Sequence, residues 1–422
     1  MITKDFHASK RRLYSDLLKD GSVGFVFSGR EREDRGDLMH RFTPNANFYY
    51  LTGFTQSKAV LMITKTAGKV REELFIDHPD EKAKRWLGLF YTRESVQEDT
   101  GIENVEYLEK FEESLPFLRY PDRVQHVYID IQNWEGTFSM NEAQRFAARV
   151  REYNPSLQIH NSFHDLSLMR QVKSAEEIDL HRRACDITAK GVENILMHLH
   201  PDMYEYEIEA YFDYTLRSMN ARHAFPTIAA SEINACCMHY EDNNRKMQDG
   251  DMILFDLGAE WGYYASDISR TFPVNGKFTE QQKTLYNVVL KGLDAAIAAS
   301  KPGQPKEALQ ELSKSVMADE LVRLGYIDKP DEISRYYFHG SGHYIGLYAH
   351  DVGENDVPLE ENMMFTLEPG LYFDELKLGI RIEDTLLVTN DGCEVLSGKI
   401  PKTVEEIETF MGQHKPGILE TE

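Results

Sequence analysis

MILFDLGAE, residues Met252–Glu260, and YYASDISRTF, residues Tyr263–Phe272, read as two apolar strands with a turn at Gly262. Each carries one aspartate, Asp256 and Asp267, inside an otherwise apolar run. Burying an ionised carboxylate without a partner costs several kcal/mol, a large share of a domain's stability. Such a residue must be paired, protonated or bound to a metal. A hairpin here sets Asp256 and Asp267 across from one another, and two carboxylates that close repel unless a cation lies between them.

Downstream, similar residues recur in the same kind of setting. HGSGH, residues His339–His343, is followed by His350-Asp351, and its glycines permit close backbone approach. MMFTLEPGLYF, residues Met363–Phe373, embeds Glu368 in an apolar run directly before Pro369-Gly370. LGIRIEDTLLV, residues Leu378–Val388, alternates Ile380 and Ile382 with Arg381 and Glu383. On one strand that spacing points Arg381 and Glu383 to the same face. Singly, each feature has an ordinary structural reading: an edge or bulge aspartate, a glycine-rich loop, a turn. Together they place four carboxylates and one histidine in strand-like segments of one domain. That is a ligand set for two oxygen-preferring divalent ions held roughly 3.5–4 Å apart. A single zinc would call for more histidine or cysteine.

Outward from these strands, helical patterns come in pairs. Ser174 and Glu177 form a capping box opening a helix with Ile178, Cys185, Thr188, Val192, Ile195 and Leu199 on its apolar face. A second helix spans Tyr204–Met219, Thr279 with Gln282 caps a third, and a fourth runs over Lys306–Leu324 with Gly325 as its C-cap. Two helices followed by ligand-bearing strands, twice over, suggest a duplicated α/β/β core. Residues 1–165 read as a separate α/β domain. Its short β-prone runs are Gly24–Gly29, Asn47–Gly53, Ala59–Thr64 and Leu74–Asp77, with helices over Asp5–Leu18 and Asn141–Tyr153.

The 422 residues suffice for two domains, and 41% hydrophobic with 28% charged residues is ordinary for a globular protein. A net charge of −23 argues against nucleic acid or an anionic membrane as partner. No apolar run approaches the roughly 18 residues of a membrane helix. The N-terminal stretch has no apolar block of the kind a secretory signal needs. The four cysteines, Cys185, Cys236, Cys237 and Cys393, form no C-x-x-C pair and fit a reducing cytoplasm.

The series Asp256, Asp267, His343, Glu368 and Glu383, in the contexts DLGA, ASDISRTFPVNGKFT, HGSGHYIGLYAHD, FTLEPGLY and GIRIED, resembles the five-ligand dinuclear centre of the creatinase/prolidase-like pita-bread metallopeptidases. RRLYSDLL and RFTPNANFYYLTGF (Arg41–Phe54) further resemble the aminopeptidase P subgroup. The resemblance implies an N-terminal α/β domain, residues 1–165, serving oligomerisation and substrate access, and a pita-bread catalytic domain, residues 166–422. It implies that Asp256 chelates one metal, Asp267 and Glu383 bridge, and His343 and Glu368 complete the second. The ions are two divalent metals per subunit, manganese first, with cobalt or zinc as alternatives.

The activity implied is that of an Xaa-Pro aminopeptidase. A hydroxide bridging the metals attacks the N-terminal Xaa-Pro bond of proline-containing peptides. In that scheme Glu368 carries the proton, His350 stabilises the oxyanion and His239 sits at the substrate amide. His339 lines the pocket and Arg381 lies near the substrate end of the site. A cytoplasmic homo-oligomer, dimer or tetramer, is implied as well. Trp86, in RWLG, matches a tryptophan that in the subgroup can reach a neighbouring active site, although packing on its own domain is the simpler expectation. Two segments depart from the pattern: Gly353–Asn362 (GENDVPLEEN) is acidic and has no arginine, and Tyr372–Gly379 is short. Both fall around the far end of the substrate. Prolidase, which cleaves only dipeptides, shares every ligand and is the competing reading. A non-catalytic peptide-binding relative is a third, against which the full ligand set stands.

Overall fold

The computed structural model describes residues 2–120, 122–132 and 140–414. The chain divides into two units, Met1–Met169 and Arg170–Glu422. The division falls four residues beyond the 165/166 boundary expected from the sequence, inside the helix Phe163–Gln171.

In the first unit, β1 (Ser22–Phe27), β2 (Val60–Thr66), β3 (Lys69–Ile76), β4 (Asn104–Tyr107), β5 (His126–Ile129) and β6 (Gln158–Asn161) form a mixed sheet in the order β4-β3-β2-β1-β5-β6. The β1–β2 and β2–β3 pairs are antiparallel, and β3–β4, β1–β5 and β5–β6 are parallel. Central β1 is buried along its whole length, which accounts for its lack of charge. The expected strand at Asn47–Gly53 is instead a helix, Ala46–Thr52. Its aromatic residues favour strands, but the punctuation around them is helical. Asn45 accepts from the amides of Asn47 and Phe48, and Gly53 closes the last turn at φ 69°. All seven residues are buried, so packing overrides propensity. Trp86, expected to pack on its own domain, is 79% exposed on the short helix Glu81–Leu87.

In the second unit, helices form at the four predicted places: Ala175–His198, Glu205–Ser218, Glu280–Ala299 and Lys306–Leu324. Both predicted capping boxes are present, and Gly325 closes the fourth helix at φ 77°. The first helix pair precedes β7 (Arg222–His223), β8 (Ile228–Ser231), β9 (Met252–Leu257), β10 (Ala259–Trp261), β11 (Tyr264–Ala265) and β12 (Ile268–Pro273). The second precedes β13 (Met364–Leu367), β14 (Gly370–Phe373), β15 (Leu378–Arg381), β16 (Asp384–Val388) and β17 (Cys393–Val395). These strands pair as β12-β9-β8, β11-β10-β7, β13-β16-β17 and β14-β15. Ile253, Leu257, Leu285, Val289, Phe365 and Ile380 meet in one core between helices and strands. Burial of each such side chain stabilises the unit by about 1.5–3 kcal/mol.

Two details of register position the charged residues. Antiparallel pairing of β9 with β12 sets Asp256 against Ser269, so Asp267 sits just before β12 rather than directly opposite Asp256. Leu378–Val388 is not one strand. β15 ends at Arg381, which pairs with Gly370, and β16 begins at Asp384, which pairs with Leu367. At the break, the amide of Glu383 donates to the carbonyl of Ser269 at 2.9 Å, tying this corner to β12.

Candidate metal centre

Each of the five predicted ligands lies in or beside a strand whose neighbours are buried. Asp256 is in β9, Asp267 precedes β12, Glu368 lies between β13 and β14, and Glu383 lies between β15 and β16. His343 reaches them because its glycine-rich loop lies directly on β13. The Thr366 amide donates to the His343 carbonyl at 2.8 Å, and the Glu368 amide donates to that of Ser341 at 2.9 Å. A Cβ on Gly342 would come 1.9 Å from the Thr366 carbonyl oxygen, so the close approach requires glycine.

The structure brings all five together. His343 Nε2 is 3.4 Å from Asp267 Oδ2, 3.8 Å from Glu368 Oε1 and 4.0 Å from Glu383 Oε1. Asp256, Asp267 and Glu383 offer ligand atoms within 4.8 Å of one another, as do His343, Glu368 and Glu383. Glu383 belongs to both sets. A third set joins Asp267 and His343 with His350. His343 Nδ1–H donates to the Tyr344 carbonyl at 3.1 Å, leaving the Nε2 lone pair facing the carboxylates. Asp256 Oδ1 and Glu383 Oε1 are buried without any hydrogen-bond partner. Orphaned acceptors of this kind, aimed into a cluster of carboxylates, fit a cation.

Electrostatics agree with that fit. Burial first, then Glu383 and Asp256, push the carboxyl of Asp267 well above its usual range. Burial and then Glu383 do the same to Glu368. Glu383 itself is pushed up to about 7 by burial, with Asp256 adding to the effect. Carboxyls that raise one another in this way bind divalent cations in exchange for protons.

Arg381 is buried, and its three nitrogens serve three partners. Nη2 contacts Asp256 Oδ2 at 2.6 Å, Nε donates to Ser269 Oγ at 2.8 Å, and Nη1 donates to the Tyr372 hydroxyl at 3.2 Å. Ser269 in turn donates to Glu383 Oε2 at 3.0 Å. His339 Nδ1–H donates to the Gly340 carbonyl at 2.5 Å, so Nε2 accepts the Tyr372 hydroxyl at 2.8 Å. Burial lowers the His339 pKa to about 4, which keeps this imidazole neutral.

His350 is exposed, its ring centroid 4.1 Å from that of His343, and partial burial with that neighbour lowers its pKa. The next residue, Asp351, pairs with Arg170, both side chains being 1% exposed, so the backbone beside His350 is anchored. His239 is exposed on the segment after β8 and is the last and smallest of the neighbours that act on the pKa of His350.

Four contributors lie outside the predicted set: Ser269, Tyr372, Arg170 and the buried Arg270–Asp384 pair. Arg270 Nη2 donates to Asp384 Oδ1 at 2.6 Å, and Arg270 Nη1 also donates to the carbonyl of Glu383. Ser269 stands two residues beyond Asp267, where strand alternation would have placed it on the same face. Arg170 and the Arg270–Asp384 pair depend on partners more than a hundred positions away, for which the sequence carries no local signal, and Tyr372 meets Arg381 across the β14–β15 hairpin.

A family model described as Metallopeptidase family M24 matches residues 179–390, and one described as the aminopeptidase P N-terminal domain matches residues 7–128. The chain is 32% identical to the Xaa-Pro aminopeptidase of Haemophilus influenzae, with 97% of each chain covered. A solved Bacillus anthracis protein classed with aminopeptidase P superposes with a TM-score of 0.96 at 41% identity, covering 98% of this chain and 99% of the other. Zinc-substituted Escherichia coli aminopeptidase P in complex with product gives a TM-score of 0.91 at 28% identity, covering 99% and 100%. With an aminopeptidase P N-terminal domain ahead of a pita-bread unit that gathers four carboxylates and a histidine, this chain belongs to metallopeptidase family M24, in its aminopeptidase P branch.

Proposed function

We propose that this chain is an Xaa-Pro aminopeptidase that removes the N-terminal residue from peptides with proline in second position, using two divalent ions, manganese first. The observation that carries the reading is the convergence of Asp256, Asp267, His343, Glu368 and Glu383, with two buried oxygens left unbonded. Asp256 would hold one ion, His343 and Glu368 the other, and Asp267 and Glu383 both. When bound, the pair supplies Lewis acidity toward the scissile carbonyl and lowers the pKa of water.

The chain's own residues do the rest. Glu368 moves a proton from the attacking water toward the proline nitrogen, which as a tertiary amide has no hydrogen of its own. His350, largely neutral because its pKa is lowered, donates one N–H to the carbonyl oxygen as that oxygen gains charge. His239 contacts the neighbouring amide, and His339 lines the pocket through Tyr372. Arg381 fixes Asp256 and, through Ser269, Glu383. The exposed Trp86, Leu87 and Phe90, between 71% and 79% accessible on one short segment, support a homo-oligomer, dimer or tetramer. No helix among the described residues is long and apolar enough to cross a membrane.

The test strips the protein with a chelator and assays Gly-Pro against Gly-Pro-Ala, with and without added manganese. Metal-restored release of glycine from the tripeptide is the expected result. Cleavage of the dipeptide alone would move the assignment to prolidase, with the acidic Gly353–Asn362 segment as the suspected cause. Failure on both peptides with no metal bound would leave a binding role.

A further inference from the structure

We infer that Glu205 is a positioning residue that holds the segment carrying His239 at the metal centre; this rests on the role proposed above for His239. Glu205 opens the helix Glu205–Ser218, is fully buried, and lies on an element that supplies none of the five candidate ligands. A buried carboxylate requires donors, and the donors seen here all come from residues 231–245. Oε1 accepts from the Ser231 amide at 2.7 Å, the Ser231 hydroxyl at 2.6 Å and Asn234 Nδ2 at 3.3 Å. Oε2 accepts from the Tyr240 hydroxyl at 2.7 Å and the Arg245 amide at 2.8 Å. The Glu205 amide returns a bond to the Arg245 carbonyl at 3.0 Å. Both ends of the segment and its middle therefore converge on one side chain.

His239 lies between two of these anchors, Asn234 and Tyr240. Its own side chain makes no hydrogen bond among the described residues, so its place is set by its neighbours. Upstream, the Asn234 carbonyl accepts from the Cys237 amide at 3.0 Å. Downstream, Tyr240 packs against the cluster of Ile228, Ala230, Ala235, Leu254 and Tyr372, and Tyr372 is the residue that bonds Arg381 and His339. Asn243 holds the far limb independently, donating to the Thr227 carbonyl at 2.9 Å and accepting from the Ala229 amide at 3.0 Å. Loss of Glu205 would thus loosen residues 232–240 while the strand beneath them stays in place.

The test is Glu205→Gln, which keeps the shape but replaces one acceptor oxygen by an N–H donor. The Tyr240 hydroxyl can rotate to suit the change, whereas the Arg245 N–H cannot. With the manganese-loaded enzyme and Gly-Pro-Ala, kcat/KM should fall at least about tenfold, the weight of one charged hydrogen bond, chiefly through a higher KM. Metal content should be unchanged. Tyr240→Phe, which removes a single donor, should move KM the same way by less, and it carries the test if Glu205→Gln does not fold. The deciding comparison is Glu205→Gln on a His239→Ala background. If Glu205 acts through His239, the double variant is no slower than His239→Ala alone. An undiminished further loss in the double variant, or wild-type kinetics of Glu205→Gln beside an impaired His239→Ala, would overturn the inference. Wild-type kinetics of His239→Ala would instead remove the role given to that histidine, and the inference with it.

Discussion

Asp384→Asn should destabilise the catalytic unit severely while touching no candidate ligand directly. The Asp384 carboxylate is 0% exposed and pairs with Arg270, which is 1% exposed. Burial alone would push this carboxyl up. Arg270 and Lys402, with a hydrogen bond from Ser397, outweigh that and hold it down to about 2. Lys402 Nζ lies 2.9 Å from the second oxygen, and Ser397 Oγ donates at 2.6 Å to the first. The asparagine variant keeps the volume but leaves the Arg270 guanidinium as an uncompensated charge in the interior. Breaking one side of such a pair costs about 3–5 kcal/mol, which for a unit of this size is a fall of roughly 6–20 °C in Tm. Because Arg270 also donates to the carbonyl of Glu383, metal affinity should drop as well.

The assay is differential scanning calorimetry of the metal-loaded protein, following the transition of the second unit, with Arg270→Met and the double variant alongside. The double variant should cost less than the sum of the two single variants by about 2 kcal/mol, since neither charge is then left alone. A Tm change under about 2 °C for Asp384→Asn, which is under about 1 kcal/mol, would refute the view that this pair braces the corner bearing Glu383. So would additivity of the single variants within roughly 0.5 kcal/mol.

Gly342→Ala should cost at least about 2 kcal/mol, because its Cβ would meet the Thr366 carbonyl at 1.9 Å and only by lifting the His343 loop off β13 can the clash be relieved. Its activity should be lost in parallel; wild-type Tm and turnover would disprove the close approach, and Gly412→Ala, with open space around it, serves as the neutral control. His181 is fully buried with Nδ1–H donating to the Ala265 carbonyl at 2.7 Å, and burial followed by Lys173 lowers its pKa to about 3. The folded protein therefore holds it neutral while the unfolded chain protonates it below about 6.5. Stability should fall by about 1.4 kcal/mol per pH unit from this one group between about 6.5 and 3. His181→Asn, which can keep the bond to Ala265, should flatten the acid limb of Tm against pH by one proton, and an unchanged slope would rule this out.

Much of this was readable from local pattern because the signals are local in physics. A capping box satisfies amides within four residues, so Ser174–Glu177 and Thr279–Gln282 announced their helices. A carboxylate in an apolar run is anomalous wherever it stands, so Asp256, Asp267, Glu368 and Glu383 stood out without knowledge of their partners. The helix at Ala46–Thr52 reads as a strand in sequence because its aromatic content outweighs its caps. Leu378–Val388 reads as a single strand for a different reason. Alternation continues across the break, where the Glu383 amide turns to Ser269 on another strand and β15 and β16 pair with different partners. The Arg270–Asp384 and Arg170–Asp351 pairs join residues more than a hundred positions apart, and no local pattern records such a choice.

Those pairs also show how the centre retains its charge. Asp384 and Asp351, each next to a candidate site residue, have buried arginines of their own. Among the described residues, Asp256 alone of the four candidate ligand carboxylates touches a guanidinium, that of Arg381. Four carboxylates against one guanidinium leave three negative charges around the Nε2 of His343, too many to bury without a cation. One divalent ion would leave the cluster still negative. Two would overshoot by a single positive charge, which one bound anion balances. The arginines are thus placed to neutralise the carboxylates flanking the site and to leave those within it short of cations, a shortfall that divalent cation binding fills.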